Sequence, residues 1–185
     1  NCLALSEATD GNAAGVRVVF GVILGTGAGG GAIVDGRPIM GINAIGGEWG
    51  HNPLPWPQTD ELPGPNCYCG KQGCIETFLS GPGLTRDYES LTGTQLKAEA
   101  IVVAAEKGDA AAETVLTRYE DRLARGLATV INVLDPDVIV LGGGMSNTER
   151  LYDHVPRCWG RYVFSDRVDT KLVKPMHGDS SGVRG

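Results

Sequence analysis

One short run of residues constrains this chain more than any other feature: Cys67-Tyr-Cys-Gly-Lys-Gln-Gly-Cys74. Three thiols lie within eight residues, and two glycines between them allow the loop to fold around a point. With His51 upstream, the set has the Cys₃His composition of a tetrahedral structural zinc site. A disulfide is a poorer interpretation, because Cys67 and Cys69 are too close to bridge easily and one thiol would be left over. Unliganded cysteines are the other alternative.

A bound metal would also explain a loop that is otherwise hard to fold. Residues 43–73 are rich in glycine and contain five of the ten prolines, Pro53, Pro55, Pro57, Pro63 and Pro65. A loop of this length in a compact domain is either functional or clamped. Because it has few periodic apolar residues, we expect zinc to hold it together, with an apparent binding free energy of ~10–16 kcal/mol.

The rest of the chain alternates predicted strands and helices, which is typical of an α/β domain. β-Branched residues predict strands at 16–24 and 32–34, separated by a glycine-rich loop. Apolar residues at spacings of three and four predict a long helix over 110–134, which Asp135-Pro136 ends. Shorter helices are predicted at 1–8, at 74–80 before Gly81-Pro82, at 94–107 and from about Thr148, and strands at 137–141 and 171–174.

Composition excludes several classes of protein. The chain has 185 residues, of which 42% are hydrophobic and 21% charged, as in a soluble globular domain. Sixteen basic and 22 acidic residues give a net charge of −6, which argues against a nucleic-acid partner. No run of ~18 apolar residues predicts a membrane span, so we expect no membrane partner.

Two glycine clusters each follow a predicted strand. In Gly25-Thr-Gly-Ala-Gly-Gly-Gly31, backbone N–H groups can approach phosphate oxygens closely, and Thr26 adds a hydroxyl donor. It is not a Walker loop, because no Gly-Lys-Ser/Thr follows. Leu141-Gly-Gly-Gly-Met-Ser146 places glycines after a buried strand, where α/β proteins bind nucleotides. For both clusters the alternative is a glycine turn needed only for packing.

Two carboxylates lie beside the proposed metal ligands in the sequence. Glu48 precedes His51 by three residues, and Glu76 follows Cys74 by two. If His51 and Cys74 bind the same metal, Glu48 and Glu76 must lie close to each other. Two carboxylates held in place in this way are suited to accept hydrogen bonds from sugar hydroxyls. The alternative is two solvated surface acids, which is the commoner fate of glutamate.

These elements, in this order, resemble the ROK family of sugar kinases and related repressors. Gly46-Gly-Glu-Trp-Gly-His51 is similar to the family's E-x-G-H motif, and the run from Cys67 to Glu76 is similar to its C-x-C-G-x-x-G-C-x-E motif. Within the family, the resemblance is greatest to the bacterial fructokinase/mannokinase type. The segments that carry it are 51–56, 67–80, 135–147 and 177–185.

The resemblance implies an actin-like, hexokinase-type (ribonuclease H-like) α/β fold, with ATP and sugar bound between two lobes. Residues 1–185 would form the larger C-terminal lobe, with the zinc-binding loop at about 48–76. The resemblance puts Thr26 and Gly27 in a second phosphate loop, and Gly143 and Gly144 near adenosine. It assigns Glu48, His51 and Glu76 to sugar hydroxyls. It assigns zinc to His51, Cys67, Cys69 and Cys74, so that one ring nitrogen of His51 binds zinc and the other faces sugar.

The implied activity is ATP-dependent phosphorylation of a hexose at its 6-hydroxyl, with Mg²⁺ stabilising the charge on the phosphates. Fructose is the first expectation for the hexose. The family's first lobe with its D-x-G-G-T-K loop, and its last helix, have no counterpart here. The catalytic Asp of the N-D-A-N motif would lie two positions before Asn1. We therefore expect residues 1–185 to be a portion of a longer protein, to contain no catalytic residue and to be inactive alone. We further expect a cytoplasmic homodimer.

Two other functions stay open. A ROK-type sugar-responsive repressor keeps the zinc and sugar sites but carries an N-terminal DNA-binding domain, and a zinc-stapled oligomerisation domain would bind no ligand. The loop with Thr26 and the glycines at 142–144 favour the kinase, because a repressor needs no ATP contacts.

Overall fold

The computed structural model describes residues 1–176 and residue 178. Six helices are defined within these residues: α1 (Cys2–Asp10), α2 (Ile75–Leu79), α3 (Gly81–Thr92), α4 (Ala98–Glu106), α5 (Ala110–Leu134) and α6 (Leu151–Trp159). The strands there are β1 (Val18–Leu24), β2 (Ala28–Val34), β3 (Arg37–Pro38), β4 (Val138–Gly142) and β5 (Lys171–Val173). Short 3₁₀ turns occupy Thr59–Glu61 and Gly144–Asn147.

The strands form one mixed sheet in the order β3-β2-β1-β4-β5. β1 pairs antiparallel with β2 and parallel with β4, and β4 pairs parallel with β5. The α/β class predicted from the sequence is therefore confirmed. The carboxyl ends of β1 and β4 lie side by side, because Ile23 is in register with Gly142. Both glycine clusters consequently start at the same edge of the sheet.

Each face of the sheet is covered by helices. Alternate residues of β1 divide between two cores: Phe20, Val22 and Leu24 join the larger one with α2 to α6, whereas Val19 joins a smaller one with α1. Such alternation follows from the period of two along a strand. Helix α1 packs so closely on the sheet that a Cβ at Gly21 would lie 2.7 Å from the Cβ of Ala4.

Helix α5 is the centre of the larger core, and its predicted bounds are confirmed. The Asp109 side chain caps it by accepting the backbone N–H of Ala112 at 2.7 Å. Asp135, with φ 48°, ends it in the left-handed region before Pro136. The apolar stripe is fully buried at Leu116, Tyr119, Leu123 and Leu127.

One predicted boundary is wrong, and one helix was not predicted. The segment 28–31, predicted as loop, belongs to β2, and the turn is reduced to 25–27. Glycine is needed in this strand because a Cβ at Gly30 would meet Phe20, Gly47 and Trp49 at 2.8 Å. The short helix predicted at 74–80 does end before Gly81-Pro82, since α2 stops at Leu79. The sequence analysis did not predict that α3 begins at the same pair, where Ser80 accepts the Gly83 N–H at 3.1 Å and proline fits the first turn.

Smaller differences concern the remaining helices and the chain end. The helix predicted at 94–107 begins at Ala98, and the one predicted from Thr148 begins at Leu151. The segment 177–185, which carried part of the family resemblance, lies outside the described residues except for Gly178. Among the helices of the described part, none combines the length and apolar character that crossing a membrane requires.

Candidate active site

The structure brings the four predicted metal ligands together. The side-chain ligand atoms of His51, Cys67, Cys69 and Cys74 all lie within 4.8 Å of one another. His51 Nδ1 is 3.4 Å from Cys67 Sγ, and Cys69 Sγ is 3.6 Å from Cys74 Sγ. In a tetrahedral zinc site with bonds of about 2.3 Å to sulfur and 2.0–2.1 Å to nitrogen, neighbouring ligand atoms lie about 3.5–3.8 Å apart. The cluster therefore fits a zinc ion in both composition and size.

The local backbone explains why these four side chains meet. Cys67 N–H donates to the Lys71 carbonyl at 2.8 Å, and Gly70 N–H donates back to the Cys67 carbonyl at 3.0 Å, which folds the segment into a tight turn. Gly70 and Gly73 have φ of 87° and 71°, a region that favours glycine. Gly70 and Gly73 thus allow the cysteine loop to fold around a point, as the sequence analysis predicted.

The thiols differ in how firmly they hold their protons. Burial raises the pKa of the Cys74 thiol to about 12, with neighbouring thiols adding to the effect. At Cys69, a backbone hydrogen bond from Lys71 lowers the pKa of the thiol. Because the thiolate is the metal ligand, binding at Cys74 has to release a proton.

His51 presents its two ring nitrogens to different partners. Nδ1 faces the thiols, and Nε2, which was expected to face sugar, lies 2.8 Å from the Tyr68 hydroxyl. The two rings meet edge to face with centroids 5.0 Å apart, and Tyr68 is 83% exposed. A sugar that reaches Nε2 therefore has to share it with Tyr68 or displace the phenol. Nothing in the sequence distinguished Tyr68 from an ordinary surface tyrosine.

The two predicted sugar carboxylates lie around Tyr68. The negative charge of Glu76, followed by that of Cys67 and Glu48, raises the pKa of the Tyr68 hydroxyl, to which desolvation also contributes. Glu48 is exposed, whereas Glu76 is half-buried. The Glu76 N–H donates to the Gly50 carbonyl at 2.8 Å, so Glu76 lies beside the segment that carries Glu48 and His51.

Glu76 has a contact that the sequence analysis did not foresee. Its Oε2 accepts the backbone N–H of Ala28 at 3.0 Å. A Cβ at Gly27 would lie 2.5 Å from the same oxygen. The carboxylate assigned to sugar therefore touches the turn assigned to phosphate.

A cavity of about 620 Å³ opens on the other side of that turn. Its lining joins Thr26 and Gly144, the two glycine clusters that the sequence analysis connected with nucleotide. Gly27 and Gly143, which were also expected at the nucleotide, are not among its lining residues. Gly27 lies against Glu76, and a Cβ at Gly143 would lie 2.6 Å from the Leu24 carbonyl oxygen. The lining residues that sequence reasoning missed belong mainly to α3 and the segment before α4: Thr85, Arg86, Glu89, Gln95 and Lys97.

A buried ion pair clamps the proline loop onto α5 independently of any metal. Glu61 accepts two hydrogen bonds from Arg125, at 2.7 and 2.8 Å, and one from Arg122 at 2.8 Å. Arg125 also donates to the Trp56 carbonyl at 2.8 Å. The side chains of Arg125 and Glu61 are 1% and 4% exposed. Two arginines three residues apart on the buried stripe of α5 were the available sequence signal, and it was missed.

Comparison with known proteins agrees with this architecture. A family model described as the ROK family matches residues 1–185. The N-acetyl-D-glucosamine kinase of Photobacterium profundum is 42% identical over an alignment of 189 residues. The alignment covers all of this chain and 62% of that protein. The chain thus spans less than two thirds of the length of this curated relative.

Solved structures of two kinds share the fold. A ROK hexokinase from Thermus thermophilus aligns with a TM-score of 0.86 at 30% identity, over 98% of this chain and 61% of that one. A ROK family transcriptional regulator, a homologue of the E. coli MLC protein, aligns with a TM-score of 0.82 at 26% identity, over all of this chain and 48% of that one.

The mixed sheet and the alignment with a ROK hexokinase show that the chain has an α/β, hexokinase-type fold. The chain belongs to the ROK family.

Proposed function

We propose that this chain is the part of an ATP-dependent sugar kinase that binds sugar and the adenosine side of ATP, and that the enzyme phosphorylates a 6-hydroxyl. One observation carries the proposal. The turn at 25–27 separates Glu76, on the proposed sugar side, from the 620 Å³ cavity that Thr26 and Gly144 line. Phosphoryl transfer needs the acceptor hydroxyl close to the γ-phosphoryl group and in line with the leaving oxygen, so a turn that contacts both sites is suited to position the phosphates.

The residues of this chain would orient the reactants. Glu48 and Glu76 accept hydrogen bonds from sugar hydroxyls, and His51 Nε2 contacts a further hydroxyl. The Thr26 hydroxyl and the backbone N–H groups of the turn donate to phosphate oxygens, which stabilises charge in the transition state. Magnesium, when bound with ATP, would neutralise phosphate charge. The base that accepts the 6-hydroxyl proton is still expected to be the Asp two positions before Asn1.

We also propose that His51, Cys67, Cys69 and Cys74 hold a structural zinc ion. Four protein ligands leave no open position, so the metal would supply a crosslink and no chemistry. Cys74 is the residue before α2, so the crosslink would fix the helix that carries Glu76 to the loop that carries Glu48.

Two substrates are proposed for testing. N-acetyl-D-glucosamine comes first, because a relative named for that activity matches the whole chain. Fructose was the expectation from the motif resemblance and has no support from the relatives. The expected homodimer is likewise a proposal, and sedimentation velocity measures it directly.

Isothermal titration of the full-length protein with ATP and with each sugar separates the proposal from its alternatives. A kinase binds both ATP and a sugar. A repressor, the alternative that the shared fold with a ROK regulator keeps open, binds sugar and not ATP. A zinc-stapled oligomerisation domain binds neither. Absence of ATP binding would contradict the proposed function.

Glu48→Gln in the full-length protein should raise the KM for sugar about tenfold or more, because a hydrogen bond to a charged group contributes ~1.5–3 kcal/mol. The substitution preserves shape and removes the charge. The KM for ATP should barely move, since Glu48 does not line the cavity with Thr26. Zinc content should not change, because Glu48 is not a ligand. A raised KM for ATP with an unaltered KM for sugar would refute the assignment.

A further inference from the structure

The phosphate turn at 25–27 is held on both sides by residues of α2 and by the residue that begins α3. On one side, Glu76 Oε2 accepts the Ala28 N–H at 3.0 Å. On the other side, the N–H of Gly81, the first residue of α3, donates to the Gly25 carbonyl at 2.7 Å. Within the turn, Gly25 N–H donates to the Gly27 carbonyl at 2.9 Å. A movement of α2 or of the Glu76 side chain is therefore transmitted to the turn.

The same helix is fixed to the segment around His51. The N–H groups of Ile75 and Glu76 donate to the carbonyls of Asn52 and Gly50, at 2.9 and 2.8 Å. Gly50 also packs against the first residue of β2, since a Cβ at Gly50 would lie 1.9 Å from the Ala28 carbonyl oxygen. Hydrogen bonds thus connect residues 50–52, α2 and the residue after the phosphate turn, and Glu76 contributes its carboxylate to this network.

The Glu76 carboxylate has one oxygen committed and one to spare. Among the residues that the structure describes, its only side-chain hydrogen bond is the one from Ala28 to Oε2. A sugar hydroxyl that donates to Oε1 would restrict the carboxylate to one orientation. The hydrogen bond between Oε2 and the Ala28 N–H would then be formed more of the time. ATP that binds after the sugar would lose less conformational entropy in ordering the turn, because the sugar has already ordered it.

We propose that Glu76 is a positioning residue that couples the sugar site to the phosphate turn. The inference rests on the proposed function and deepens it. Sugar bound at Oε1 holds the turn in the conformation that receives the phosphates of ATP, so sugar raises the affinity for ATP. By thermodynamic linkage ATP raises the affinity for sugar by the same factor.

Two substitutions at Glu76 separate its two contacts. Glu76→Gln keeps an acceptor oxygen for the Ala28 N–H and loses the charge toward sugar. We expect the KM for sugar to rise about tenfold and the KM for ATP to change by less than about twofold. Glu76→Ala loses both contacts and should raise the KM for sugar more than about tenfold and that for ATP about fivefold. Glu48→Ala is the matched control and should raise the KM for sugar alone.

Gly27→Ala tests the coupling from the nucleotide side. The new Cβ would lie 2.5 Å from Glu76 Oε2, and the next atom it would meet, Glu76 Cδ, is 3.4 Å away. The substitution should displace the carboxylate and weaken sugar binding about fivefold, measured by calorimetry without nucleotide. In the Glu76→Ala background the obstacle is gone, so Gly27→Ala should then change sugar affinity by less than about twofold.

The outcomes distinguish this inference from the proposed function. Thermal unfolding and zinc content, measured for every variant, identify a substitution that merely disrupts folding. If the wild-type protein phosphorylates sugar but Glu76→Ala leaves the KM for ATP unchanged, the coupling is refuted and the function stands. Additive effects of Gly27→Ala and Glu76→Ala on sugar affinity refute it as well. A wild-type protein that phosphorylates no hexose contradicts the function and the coupling together.

Discussion

Replacing Cys74 with serine should abolish stoichiometric zinc binding and lower the melting temperature by on the order of 10 °C. Cys74 is 1% exposed and precedes α2, so its loss frees both the cysteine loop and the start of that helix. Structural zinc contributes ~10–16 kcal/mol of apparent binding free energy. Only part of this should be lost, because Arg125 and Glu61 still hold the proline loop.

Cys2→Ser is the control, because Cys2 is an exposed residue of α1 outside the cluster. It should retain zinc and its melting temperature. A chelator should lower the melting temperature of the wild type toward that of Cys74→Ser and leave the variant unaffected. Elemental analysis that finds no near-stoichiometric zinc in protein prepared without chelator would contradict the metal site.

Glu61→Gln should lower the free energy of unfolding by about 1–3 kcal/mol, because it weakens three buried hydrogen bonds from arginine without leaving an unpaired charge. The amide is nearly isosteric, but it removes the carboxylate shared by the buried side chains of Arg125 and Arg122. Arg125 then keeps an ion pair with Asp121 at 2.9 Å, and Arg122 keeps one with Asp87 at 2.6 Å. Denaturant unfolding measures the loss. Asp60→Asn, at the exposed neighbouring position, should change it by less than about 0.5 kcal/mol. Equal effects of the two substitutions would refute the role of the buried pair.

The acid stability of the protein provides a second signature of Glu61. Burial alone would raise the pKa of this carboxyl, but hydrogen bonds from Arg125, Arg122 and the Gln58 N–H outweigh it and lower the pKa to about 2. The unfolded value is about 4.3. A depressed pKa contributes stability that is complete above the unfolded value and is lost as the pH falls toward 2. Glu61→Gln should lack this part of the pH dependence.

Local sequence signals predicted the elements whose causes are local. Helix α5 has a capping aspartate, a continuous apolar stripe and a terminating Asp135-Pro136, and its bounds are confirmed. Glycine was misinterpreted where its cause is tertiary. Position 30 of β2 is a glycine because Trp49 and Gly47 pack against it too closely for a side chain. No residue near Gly30 in the sequence reveals that contact. Gly81-Pro82 is ambiguous, because the same pair can end one helix or begin another.

The candidate site divides in the same way. Three of the four clustered ligands fall within eight residues, so their spacing predicted that they would meet. The contact from Ala28 to Glu76 joins residues 48 apart, and the pair of Arg125 and Glu61 joins residues 64 apart. Such pairs depend on how the sheet and helices pack. The sequence could indicate that Arg122 and Arg125 need buried partners, but not that Glu61 is the partner.

ATP-dependent phosphorylation of sugar by the full-length protein tests the proposed function most directly. The protein is incubated with magnesium, ATP and N-acetyl-D-glucosamine, fructose, mannose or glucose in turn, and ADP and phosphorylated sugar are both quantified. We expect one ADP for each sugar phosphorylated at its 6-hydroxyl, with at least one of these sugars. Sugar binding without ADP or a phosphorylated product from any of the four would contradict the kinase and favour the sugar-responsive repressor.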